Sequence, residues 1–120
     1  SAVVERGYIT YTNAAKMDCL GVPEDLLIEH GAVSSPVAEA MATGLLARAP
    51  VDATVAITGV AGPGGGTAAK PVGTVHLAAA SRDRPVVAVH RVFSGDREQV
   101  RRDSVNAALD ILVQVLEVPA

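Results

Sequence analysis

Three stretches of this chain place residue types at spacings that could do chemistry. The first is Tyr11-Thr-Asn-Ala-Ala-Lys16, at the junction of an expected strand and helix. With Asn13 as helix cap, Lys16 falls at the third helical position, where the positive helix end and any partial burial both disfavour its ammonium form. A lysine so placed can act as a base. Most lysines are solvated, however, and most strand tyrosines are packing residues with a satisfied hydroxyl, so residue type alone does not make Lys16 and Tyr11 a site. The second stretch is Thr58-Gly-Val-Ala-Gly-Pro-Gly-Gly-Gly-Thr67, with five glycines between Gly59 and Gly66. Without side chains in the way, its amides can approach an anion or a flat polar ligand. It is not a P-loop, because Lys70 is followed by Pro71 and a strand; nor is it a dinucleotide fingerprint, because the third glycine position counted from Gly62 falls on Thr67. Many such loops are bare surface, yet this one directly follows an apolar strand, where open α/β sheets place ligands. The third stretch is Phe93-Ser-Gly-Asp-Arg97 with Arg101 and Arg102. These arginines could clamp a phosphate, but local pairs of Asp96 with Arg97, and of Glu98 with Arg101 or Arg102, are the favoured reading.

The elements that must position these residues follow from apolar periodicity and turn chemistry. Val3 to Tyr11 suits a strand, with Gly7 as a bulge or close contact. Asn13 to Leu20 is a short helix closed by Gly21, and a second starts at Pro23 and ends at Gly31. Ser35-Pro36 opens a third helix, to Arg48, on which Val37, Met41 and Leu45 recur at intervals of four. Ala53 to Thr58 is a short apolar run that reads as a buried strand. Val72 to Ala80, a turn at Arg82 to Pro85, and Val86 to Phe93 read as an antiparallel hairpin. A long final helix then carries Val105, Leu109, Leu112 and Leu116 as its apolar stripe and stops before Pro119. The order β-α-α-α-β-β-β-α predicts an α/β fold, a three-layer α/β/α sandwich with a mixed β-sheet, in which helices cover the apolar strands.

Composition narrows the function classes. With 120 residues, 49% of them apolar, the chain makes one domain with a real core. Ten basic against thirteen acidic residues, a net charge of −3, leaves no basic stripe for nucleic acid. The longest uncharged stretch, Ala53 to Ala69, is broken by glycines and a proline and is no membrane span, so a soluble, cytoplasmic protein is expected. The lone Cys19 allows no internal disulfide and reads as a small apolar residue. His30, His76 and His90 lack metal-ligand spacing. His76 and His90 sit on strands expected to pair, so they can approach each other, but two histidines without a carboxylate make a poor zinc site. Neither a metal nor a cofactor is expected. A small-molecule site is the main remaining class.

Together, Gly7-Tyr-Ile-Thr-Tyr-Thr-Asn-Ala-Ala-Lys16, Leu20-Gly-Val-Pro23, His30-Gly-Ala-Val-Ser34, the glycine loop with Lys70-Pro-Val-Gly-Thr74, and Phe93-Ser-Gly-Asp-Arg97 are similar to the C-terminal domain of the competence/damage-inducible CinA proteins and to the stand-alone nicotinamide-nucleotide amidases. The resemblance spans nearly the whole chain. It implies the α/β/α fold and hydrolysis of the carboxamide of nicotinamide mononucleotide to the nicotinate nucleotide and ammonia. It also implies a Ser/Lys mechanism in which Lys16 is the base, with Tyr11 and Asn13 as its supports. By the same comparison the loop lies at the nucleotide site, through Thr58, Gly59, Ala61, Gly62, Gly64 and Gly65.

One departure is large. The family's nucleophilic serine lies in a Glu-Ser-Cys-Thr-Gly-Gly motif upstream of the Gly-Tyr-Ile-Thr-Tyr strand, and the 120 residues contain no such motif. Ser1 stands where an initiator methionine would, and Ser1-Ala-Val-Val-Glu-Arg-Gly7 resembles the segment that follows the serine-bearing strand and helix. The remaining serines read as caps, turn or helix residues. The expectation is an amidase domain without its N-terminal strand and nucleophile, whose open edge and exposed apolar surface favour a homo-oligomer. The alternative is a non-catalytic nucleotide-binding or interaction module of a larger CinA-like protein.

Overall fold

The computed structural model describes residues 3–117. Ser1, and Pro119 as the expected helix stop, lie outside the described residues. Four helices and three strands are formed in the order α1 (Asn13–Leu20), α2 (Glu24–His30), α3 (Ser35–Arg48), β1 (Ala53–Gly59), β2 (Thr74–Ser81), β3 (Val87–Val92) and α4 (Arg97–Glu117). The strands form one sheet in the order β1-β2-β3, antiparallel throughout. The expected hairpin is therefore present, with Leu77 opposite Val89 and His76 opposite His90.

Two fold expectations need correction. Residues 3–11 form no strand, and with no strand parallel to β1 the sheet is not mixed. Their β-favouring composition has no ladder to join, and Val3, Val4, Ile9 and Tyr11 stay strongly exposed. The fold is an α/β domain of four helices and one antiparallel sheet among the described residues.

The core has two parts, divided by the sheet. On one side Leu20, Val22, Leu27, Val37, Met41 and Ala42 from the first three helices and their connections pack with Ala56, Ala78 and Ala80. On the other, Val100, Ala108, Ile111 and Val115 of α4 pack with Val75, Leu77 and Ala79. The alternation along β2 is the two-residue period of a pleated strand. The apolar stripe expected on α4 is also corrected: Val105, Leu109 and Leu116 are 53%, 56% and 45% exposed, and the seated face is Val100, Ser104, Ala108, Ile111 and Val115. Among the described residues no helix is long and apolar enough to cross a membrane.

Candidate functional site

Lys16 owes its position to the local chemistry of α1. Thr12, not Asn13, is the cap: its hydroxyl oxygen accepts from the Ala15 amide at 3.0 Å, and Asn13 becomes the first helical residue. Both residues are good caps, and they differ by one position. Gly21, at φ 67°, turns the chain out of the helix, with its amide donating to Met17 O and the Val22 amide to Lys16 O. This exit needs a left-handed residue, which glycine supplies without a Cβ penalty.

The helix then lies on α3 at a second glycine. A Cβ at Gly44 would stand 1.8 Å from the Leu20 carbonyl oxygen, so the missing side chain is what lets α1 and α3 meet. Met17 and Leu20 join the same apolar cluster as Ala56 of β1, and Lys16 is carried inward with them, to 6% exposure. Its Nζ donates to Thr10 O, and among the described residues no carboxylate pairs with it. Burial alone pushes the Lys16 pKa down from the usual lysine value. The result is an amine of raised availability, directed at Thr10 in the segment that precedes α1.

Tyr11 is 86% exposed and Asn13 is exposed; neither side chain hydrogen-bonds to Lys16 among the described residues. Thr58 is buried, and its hydroxyl donates to Ala32 O at 2.8 Å, fastening the end of β1 to the α2–α3 connection. Gly59 ends β1 where a Cβ would meet Thr74 O at 2.8 Å. Ala61 packs toward the α4 side of the core, Gly62 is buried, and Gly64 and Gly65 are exposed. The backbone amides of Ala61, Gly62, Gly64, Gly65 and Gly66 make no hydrogen bond among the described residues. They are free donors beside a strand end, the property the loop needs to hold a polar ligand. No hydrogen bond or ion pair joins Lys16 to this loop among the described residues.

Two contacts escape the sequence reading. Arg97, expected to pair with Asp96, instead donates through Nη1 to Gly62 O at 2.9 Å and ties the start of α4 to the loop. Asp96 turns its carboxylate to the Gln99 amide at 2.9 Å as a helix cap, while Glu98 pairs with Arg102 as expected. Lys70 reaches away from the loop to His30 O at 2.7 Å, satisfying a carbonyl at the end of α2. The glycine spacing held no signal for either contact.

His76 and His90 do meet, stacked with ring centroids 4.4 Å apart, in one row with Thr58 across the three strands. The His76 Nδ1 atom is buried and has no hydrogen-bond partner among the described residues. Burial first, then repulsion from His90 and Lys70, lowers the His76 pKa below 6.5. Between that lowered value and the unfolded-state value the unfolded chain binds more protons, so stability rises with pH across this window and the cost is fully present below it. His90→Gln removes the like charge, and urea unfolding over mildly acidic pH should then show a shallower slope. An unchanged slope would exclude His90 as a contributor.

With fold and site in view, the comparisons define the class. The chain matches the CinA C-terminal domain family over residues 1–116 and belongs to it. It is 50% identical over 117 residues to a CinA-like protein of Mycobacterium sp. (strain JLS), covering 98% of this chain and 28% of that protein. A CinA-like protein of Anaeromyxobacter dehalogenans (strain 2CP-C) is 53% identical over 112 residues, 93% of this chain and 27% of its own length. The chain thus spans little more than a quarter of these curated relatives. Among solved structures, the competence/damage inducible protein CihA from Agrobacterium tumefaciens superposes with a TM-score of 0.93 at 46% identity, covering 97% of this chain and 71% of that one. A CinA superfamily protein from Escherichia coli superposes with a TM-score of 0.81 at 41% identity, covering 88% and 60%.

Proposed function

We propose that this domain carries the base and the ligand loop of a Ser/Lys amidase acting on nicotinamide mononucleotide in the cytoplasm, with the serine supplied from outside the 120 residues. The observation that carries the reading is the buried Lys16 amine with its lowered pKa, which pairs with no carboxylate among the described residues. In the proposed reaction neutral Lys16 takes the serine proton and the serine oxygen bonds to the carboxamide carbon. Free loop amides are suited to the resulting oxyanion or to the nucleotide. The tetrahedral intermediate expels ammonia, which receives the proton from Lys16. Water, deprotonated by Lys16, then releases the carboxylate and restores the serine. Thr58 and Arg97 hold the two ends of the ligand region, through Ala32 O and Gly62 O. The segment that carries the serine would supply the further strand of a three-layer sandwich with a mixed sheet and bring the serine toward Lys16.

The purified 120-residue chain should release no ammonia from nicotinamide mononucleotide in a coupled assay, because no serine here occupies the family motif. Turnover by this chain would overturn the assignment of the nucleophile. A chain with the Glu-Ser-Cys-Thr-Gly-Gly segment ahead of residue 1 should turn over. Calorimetric binding without turnover in that longer chain would instead favour the non-catalytic module.

A further inference from the structure

We propose that the groove between β3 and α4 takes an extended basic peptide of a partner protein, added to the sheet as a fourth strand. β3 is an edge: among the described residues it pairs with β2 alone. The Phe93 amide donates to Gly73 O, which sets the phase of the ladder, so Val87, Val89 and Arg91 turn their N–H and C=O groups to β2. Ala88, His90 and Val92, all exposed, turn theirs outward. Arg91 Nη1 donates to one of the outward carbonyls, His90 O, at 2.9 Å, and the three outward amides are left for an added strand.

Beside this edge α4 forms a second wall. A groove of about 350 Å³ lies between them, with Val89, Phe93 and Ile111 as its apolar part. The flank of α4 that lines it carries Asp103, Asn106, Asp110 and Gln114, and the same helical stripe continues to Gln99 before and Glu117 after, with no basic residue in it. Asp103 accepts from Gln99 Nε2 at 2.8 Å, whereas Asp110 and Glu117 make no hydrogen bond or ion pair among the described residues. Arg91 also lines the groove, but its charge is turned to His90 O, and two carboxylates against one guanidinium leave the lining acidic. These features select the occupant. In a strand paired with β3, every second side chain points to the α4 side. Lys or Arg at those positions lays its aliphatic stem on Val89, Phe93 and Ile111 and carries its charge to Asp103 and Asp110. An acidic segment meets like charge, and a helix cannot use the edge amides.

NMR titration of the full chain with the peptide acetyl-Thr-Lys-Thr-Lys-Thr-Lys-Thr-amide tests this. The expected result is a saturable shift of the Ala88, His90 and Val92 amides, with solvent exchange slowed at the same three. The peptide with Glu in place of each Lys should not bind. Asp110→Lys, at an exposed position, should weaken binding of the Lys peptide about fivefold with an unchanged circular dichroism spectrum. No shift at those three amides, equal binding of the Glu peptide, or full affinity in Asp110→Lys would each overturn the proposal. So would protection of the same amides in the concentrated free chain that is lost on dilution, because a second copy would then occupy the edge.

Discussion

Lys16→Ala, in a chain that carries the family's serine segment, is expected to lower kcat for the proposed amide hydrolysis by about 10^4-fold with little change in KM. The base acts on the serine proton and not on ground-state binding, so the loss falls on the chemical step. The stability effect of removing the amine should run the other way. An ammonium buried, among the described residues, with one carbonyl partner and no carboxylate is an unfavourable group in the folded state. Lys16→Met keeps the stem volume and removes the charge, so it should unfold at higher urea concentration than the wild type at neutral pH while being equally inactive. The pH dependence has a definite sign. Because the folded pKa of Lys16 is depressed, the unfolded chain binds more protons between that value and 10.5, and wild-type stability rises with pH across this window. Lys16→Met should lose that rise. Near-wild-type turnover in either variant removes Lys16 from the mechanism.

Gly44→Ala should destabilise the domain by about 2 kcal/mol, lowering Tm by roughly 8 °C, although helix propensity alone argues for a gain of about 1 kcal/mol. The added methyl would sit 1.8 Å from a backbone oxygen at the end of α1, an atom that cannot swing aside like a side chain. Either α1 lifts from α3 or α3 shifts against the sheet, and overpacking of this kind outweighs propensity. Since α1 bears Lys16, the variant should also lower turnover in the longer chain at temperatures where it is still folded. Scanning calorimetry decides the first point: an unchanged or raised Tm would mean that the α1–α3 contact yields at little cost.

Much of this fold is legible in the sequence, and the misses have physical causes. β1, β2 and β3 are short apolar runs bounded by proline, glycine or turn residues, so strand identity and hairpin pairing follow from local chemistry. Residues 3–11 have the same β-favouring composition, but a strand needs a neighbour, and composition does not supply one. The α4 period is correct and its face is not. Hydropathy weights side-chain size and so selects Val105, Leu109, Leu112 and Leu116, whereas the buried face includes Ser104 and Ala108, two small residues that such a weighting passes over. In the site, the free loop amides are foreshadowed by the glycines. The inward turn of Lys16 is legible only through the resemblance. The reach of Arg97 to Gly62 O joins residues 35 apart, while the carboxylates nearby in sequence point to local pairs instead.

One strand belongs to both halves of the core: β2 lends Ala78 and Ala80 to the helices on one side and Val75, Leu77 and Ala79 to α4 on the other. Neither half can separate from it without exposing apolar surface on the same six-residue stretch. The Lys16 side and the α4 side are therefore expected to melt as a single cooperative unit, so the helix that holds the amine shares the full unfolding free energy of the domain.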